Sequence, residues 1–134
     1  MPFIAALVTF CFILLPFAAS AHHSGAAARA LKNPVAATPA SITAGAAAYK
    51  KYCVFCHGAD AKGNGPLAPM DSKPPSLVDA TWTHGPIDGE VFTVIANGPG
   101  PSAKMAGFKG KMPDEDIWNI VNYLSKLRLK PAAR

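Results

Sequence analysis

Cysteine is scarce in this chain. There are three among 134 residues, and Cys11 lies inside an N-terminal apolar run, which leaves Cys53 and Cys56. A disulfide-stapled domain needs more cysteines than that. A structural zinc site needs a second ligand pair, and His22, His23 and His84 have no ligand spacing. A thioredoxin-like dithiol needs a βαβ context, but the sequence around the pair is helical and then rich in Pro and Gly. Acidic residues are also few: eight against thirteen Lys and Arg, for a formal charge of +5. They are not grouped with His84 in any acid–base arrangement, so no catalytic pair is expected. The basic residues are scattered and no basic run alternates with aromatics, which argues against nucleic acid as a partner. Internal repeats are absent.

The apolar run, Phe3 to Ala21, has no Lys or Arg before it and closes on Ala19-Ser20-Ala21. That ending fits the small-x-small pattern of a signal-peptidase site. The run also approaches the roughly 20 residues that cross a bilayer, so residues 3–21 read either as a cleaved leader or as a membrane anchor. Cys11 follows the bulky Phe10, with no small residue to mark a lipoprotein site. Residues 1–21 are therefore expected to be a signal peptide or anchor, and the chain to work in the periplasm or fastened to the membrane facing it. Residues 22–40, rich in Ala and Pro, read as a flexible linker. Residues 41–130 form the domain, and 131–134 a tail.

The two remaining cysteines stand in Cys53-Val54-Phe55-Cys56-His57. Two thiols three apart with a histidine directly after them are the attachment signature of a c-type haem. On one helical turn both thiols share a face and can reach the two vinyl groups on one porphyrin edge. His57 then supplies the proximal imidazole. Export agrees with this chemistry, because haem thioethers form outside the cytoplasm.

Around the motif the chain alternates helix and loop. Ser41 to Tyr52 is expected to be helical, capped by Ser41 or Thr43. Gly45 in its interior is costly unless another helix crosses there. Gly58 to Gly85 carries too many Gly and Pro residues for regular structure, and a haem would supply the apolar core that such a loop lacks. Within it Pro74-Pro75-Ser76-Leu77 can place a carbonyl near the His57 Nδ1–H, and Trp82 can line the haem edge. Asp88 to Ala96 is expected to be a short helix ended by Asn97-Gly98. Pro113 to Leu127 has Ile117, Ile120, Val121, Leu124 and Leu127 on one face, with Trp118 and Tyr123 at its borders.

Three methionines are candidates for a sixth ligand: Met70, Met105 and Met112. Met70 follows His57 closely, in the loop that must travel round the porphyrin. Met105 lies in an irregular, Gly-flanked loop that can approach an iron. Met112, just before the last helix, also reads as a staple packed back onto it. The residues favour Met105, with Met112 as the alternative.

These features resemble the class I cytochromes c, specifically the small bacterial single-haem kind, over about Ser41 to Leu127. The matching residues are Gly45 and Tyr49, the attachment motif with Gly58, Pro75-Ser76-Leu77, Ile95-Ala96-Asn97-Gly98, Met105-Ala106-Gly107-Phe108, Ile117-Trp118, and Ile120 to Leu124. The chain has Ala106 where the family often has Pro, and Pro113 where it often has a Ser or Thr cap. The resemblance implies an all-α fold of three to four helices around one covalent haem c, with the first and last helices crossing so that Gly45 and Tyr49 meet Ile120 and Tyr123. It implies Met105 as axial ligand and a carbonyl at Pro75 behind His57. It also implies a haem pocket that includes Leu77, Ile95 and Phe108.

The expected job is one-electron transfer by a monomeric carrier between redox proteins, not catalysis. The alternative is a haem c subunit of a larger oxidoreductase or terminal oxidase. A gas-binding or peroxidase-like protein with an open sixth position is a further alternative. Lys62, Lys104, Lys109 and Lys111 are expected near the haem edge, where their charge would steer an acidic partner.

Overall fold

A computed structural model of the chain describes residues 25–79 and 87–129. These residues form five helices and no strands: α1 (Gly25–Ala30), α2 (Pro39–Tyr52), α3 (Val54–His57), α4 (Asp88–Asn97) and α5 (Asp114–Arg128). The all-α expectation matches this. None of these helices is long and apolar enough to cross a membrane. The signal peptide or anchor at 1–21, and Trp82, lie outside the described residues.

The main helix contact is between α2 and α5. It forms because Gly45 has no side chain. A Cβ at Gly45 would run into the Asn119 carbonyl and the Cβ of Tyr123, so the α2 backbone rests directly on α5. One turn on, the Tyr49 and Tyr123 rings meet with centroids 5.4 Å apart. The expected crossing is therefore present, with the Asn119 backbone as the floor under Gly45. On α5, Ile117, Ile120 and Val121 are fully buried, and Leu124 nearly so. Trp118, read from the sequence as a border residue, is 5% exposed. It stacks on Phe92 of α4 at 4.1 Å between centroids, which carries the core across to α4.

Helix α2 begins before Ser41. Its N-cap is Thr38, whose hydroxyl accepts from the Ser41 N–H, and Pro39 occupies the first turn, where a missing N–H costs nothing. Ser41 is then free for another task. Its Oγ bonds Asn119 Oδ1 at 2.6 Å, and Asn122 Nδ2 bonds Ser41 Oγ at 2.8 Å and the Val35 carbonyl at 3.1 Å. Asn33 Nδ2 reaches Asn122 Oδ1 at 2.9 Å.

This network corrects the expectation of a flexible linker over 22–40. From Gly25 onward that segment is docked. Helix α1 packs against α4. A side chain at Gly89 would strike the carbonyls of Ala28 and Leu31. Arg29 Nε pairs with Glu90 Oε1 at 2.7 Å, and that glutamate side chain is 10% exposed. The composition of the segment hides these contacts because small residues, which look like linker, are also what allow close backbone approach.

Candidate functional site

Helix α2 ends at Tyr52, and Cys53 continues it in a right-handed conformation with its N–H on the Tyr49 carbonyl at 2.8 Å. The chain then winds through the short α3, with His57 N–H on the Cys53 carbonyl at 2.9 Å. The two cysteines and the histidine thus sit on consecutive helical turns, as their spacing requires. Both thiols are free. Burial, and then the neighbouring Cys56, push the Cys53 thiol up to about 12, so it is protonated at neutral pH. Burial lowers the His57 imidazole below its ordinary value, which favours the neutral ring that can ligate a metal.

The loop after α3 folds back on the motif. Gly63, Gly65 and Leu67 donate to the carbonyls of His57, Cys56 and Phe55 at 2.8, 3.1 and 2.7 Å. Ala61 is fully buried with φ of 59°, and its carbonyl accepts from Leu77 N–H at 2.7 Å. Tyr49 closes the turn from α2, donating its hydroxyl to the Gly58 carbonyl at 2.8 Å, and burial raises its phenol above the ordinary value.

Together these elements enclose a cavity of about 550 Å³. That volume lies in the ~300–1,000 Å³ range of pockets that bury a ligand of cofactor size. Cys53, Cys56, His57, Pro75, Leu77, Ile95, Met105 and Phe108, all named from the sequence, stand in its wall. So do Tyr49, Tyr52, Val91, Val94, Ile120 and Leu124. Sequence reading gave Tyr49, Ile120 and Leu124 only packing roles. They serve as both core and lining because α2 and α5 cross beside the cavity. Val94 could have been found as the neighbour of Ile95 on the inner face of α4.

The methionines separate cleanly. Met105 lines the cavity. Met112 is 4% exposed within the apolar core, in the cluster that contains Ile117, and it is absent from the cavity wall. Met70 is fully exposed.

Two expectations meet a different geometry. His57 Nδ1 is buried without a hydrogen-bond partner, so the bond to a Pro75 carbonyl is not made. Gly63 packs against both segments: its N–H donates to the His57 carbonyl, and a Cβ there would run into the Pro74 carbonyl. A buried ring nitrogen without a partner is uncommon and costly, which sets this ring apart from an ordinary packed histidine. The second difference concerns Lys104. Its Nζ is not a free charge, because it holds both carboxylate oxygens of Asp71 at 2.6 and 2.7 Å. That lysine in turn keeps the Asp71 carboxyl below the usual carboxylate range. Lys62, Lys109 and Lys111 are exposed.

Paired thiols, a neutral imidazole and a thioether around one cavity fit a covalently held haem. Among the described residues no group of three or more His, Cys, Asp or Glu is placed to hold a bare metal ion. Beside the thiols the surface is apolar: Phe55 and Leu67 are 51% and 67% exposed.

Comparison with known proteins gives the same picture. The family model for cytochrome c oxidase, cbb3-type, subunit III matches residues 40–124. The cbb3-type cytochrome c oxidase subunit CcoP of Rhodobacter capsulatus is 31% identical over 112 residues, covering 73% of this chain and 35% of that protein. The chain thus spans about a third of the length of this curated relative. Among solved structures, a chain of the reducing HAO-like protein complex of Kuenenia stuttgartiensis superposes with a TM-score of 0.62 at 23% identity, covering 72% of this chain and 49% of the other. Cytochrome cL of Methylophaga aminisulfidivorans superposes at 0.55 with 24% identity, covering 67% and 57%. At these identities the two structures speak for the fold alone.

Proposed function

Because the chain belongs to the cbb3-type cytochrome c oxidase subunit III family and has the class I cytochrome c fold with covalent haem c, we propose that it is a haem c electron-transfer component of a terminal-oxidase assembly. This places the subunit reading ahead of the free shuttle. The observation that carries the electron-transfer role is the composition of the cavity wall, where Cys53, Cys56, His57 and Met105 surround an otherwise mainly apolar space. The bound haem supplies a one-electron couple between ferric and ferrous iron. In this reading the chain carries one such group, on its one attachment motif.

Each residue then has a defined task. Cys53 and Cys56 provide the sulfurs that become thioethers and fix the position of the ring. His57 and Met105 would hold the iron through a ring nitrogen and a thioether sulfur, and the soft thioether would favour the reduced state. Tyr49, Ile95, Ile120 and Leu124 exclude water, which limits the reorganisation that accompanies a change of charge. Beside Cys56 the exposed Phe55 and Leu67 offer apolar contact to a partner that would exchange electrons with the haem. Lys62, Lys109 and Lys111 attract an acidic partner surface, whereas Lys104 is engaged with Asp71. The site of action in this reading is the periplasmic side of the membrane, whether the chain is released there or held by residues 3–21.

Affinity purification of the tagged chain from detergent-solubilised membranes tests the assignment. The expected result is co-elution with oxidase subunits that contain other haem types, and reduction of those haems through this one. Recovery of the whole haem-loaded pool as a free protein that reduces an oxidase only by collision would return the shuttle reading.

A further inference from the structure

Met105 sits in a loop whose backbone is fastened mainly at its two ends. At one end Gly98 N–H bonds the Val94 carbonyl at 2.9 Å, and at the other Phe108 N–H bonds the Ile95 carbonyl at 3.0 Å. The bond recorded between them, Ala103 N–H to the Gly100 carbonyl at 3.2 Å, stays inside the loop. Gly98 and Gly100 have φ of +81° and +146°, and nothing lies near the position of a Gly100 side chain. Among the described residues, the N-terminal half of the loop makes no hydrogen bond to the backbone outside it beyond that of Gly98, and Gly98 itself lies close to the Met105 carbonyl. In the far half, Gly107 lies against the Ala96 and Asn97 backbone.

One side chain ties the loop to a different part of the fold. Lys104, the neighbour of Met105, grips both oxygens of Asp71. Asp71 belongs to the loop that comes round from the attachment motif, and its neighbours Ser72 and Lys73 line the cavity together with Lys104 and Met105. We propose that the Lys104–Asp71 ion pair is a clasp across the cavity mouth that positions the Met105 sulfur for the iron. The inference rests on the reading of Met105 as axial ligand.

The magnitude follows from exposure. The two side chains are 53% and 71% exposed, so the pair is solvated and screened by salt. A solvated pair of this kind shifts an equilibrium by about two- to fivefold. That is small for global stability. It is readable in a ligand exchange, because a thioether is a weak ligand for ferric iron and free imidazole competes with it. Lys104 and Asp71 are positioning residues here and do not touch the metal.

The experiment uses the haem-loaded protein and imidazole as competitor. At low ionic strength, Asp71→Asn and Lys104→Gln are each expected to raise the imidazole affinity of the ferric protein about two- to fivefold. Their unfolding midpoints should stay near that of the parent. Raising the salt concentration should bring the parent towards the variants while leaving the variants little changed. The double exchange Asp71→Lys with Lys104→Asp should restore parental affinity. The thioether-to-iron absorption band of the ferric parent, and its loss in Met105→Ala, provides the control. If that band is absent from the parent or survives in Met105→Ala, the ligand reading fails and takes the clasp with it. If the band behaves as expected but the charge variants bind imidazole like the parent, the clasp alone is overturned.

Discussion

Met105 and Met112 are the same residue type, seven positions apart, and differ wholly in surroundings. One lines the cavity and the other is 4% exposed in the core. Substitution should separate them into two phenotypes. Met105→Ala is expected to abolish the thioether-to-iron band and allow rapid binding of CO to the reduced protein, with little loss of fold. Met112→Ala should keep the band and lose about 2–5 kcal/mol in chemical denaturation, the cost of emptying a packed methionine site. The sequence could rank these two but not decide between them, because each precedes or enters irregular backbone. Burial decides it. His57 gives the opposite lesson, since its place in the site was legible from one motif while the absence of the expected Pro75 bond at its Nδ1 was not. The packing of Gly63 against both segments is a feature of loop path, which leaves no periodic signal.

At the scale of elements, the crossing of α2 on α5 was legible because a glycine in a helix interior is a local cost that needs a reason. The structure supplies it in the Asn119 carbonyl. Gly45→Ala tests that reason with opposite signs. For a merely tolerated glycine, alanine would stabilise the helix by about 1 kcal/mol. With the α5 backbone in the way, the helices must part, and overpacking of this kind costs about 1–3 kcal/mol. A lower denaturation midpoint with unchanged helicity is the expected outcome, and a higher one would remove the crossing argument. What composition hid was the docking of α1 and residues 31–38. Alanine and proline look like tether in a window average, and the contacts that contradict this are few and specific: Arg29 to Glu90, and Asn33 and Val35 to Asn122.

For the molecule as a whole, the core is built round a space that protein atoms do not fill. A chain with about 550 Å³ of largely apolar cavity at its centre has too few partners for its own lining residues. Cys53→Ser with Cys56→Ser is therefore expected to remove more than the cofactor link. Exported without covalent haem, the double variant should lose cooperative thermal unfolding and show a collapsed, weakly protected core by hydrogen exchange. Retention of a sharp unfolding transition in that variant would mean that the helices suffice alone. The Gly- and Pro-rich loop makes sense at this scale only, since its described residues Pro69, Pro74, Pro75 and Leu77 line the cavity.

The polar contacts that hold the N-terminal segment have a direction. Asn33 donates to Asn122, Asn122 donates to Ser41, and Ser41 donates to Asn119. Each group gives its proton to the next, so the chain of bonds is homodromic and its links polarise one another. The backbone of Val35 fixes the direction: its N–H donates to Asn33 Oδ1 and its carbonyl accepts from Asn122 Nδ2. Turning the Asn122 amide round would set its nitrogen against Asn33 Nδ2 and its oxygen against the Val35 carbonyl. The segment is thus keyed as well as held: the two Val35 backbone groups set the sense in which three asparagines and a serine pass their protons along.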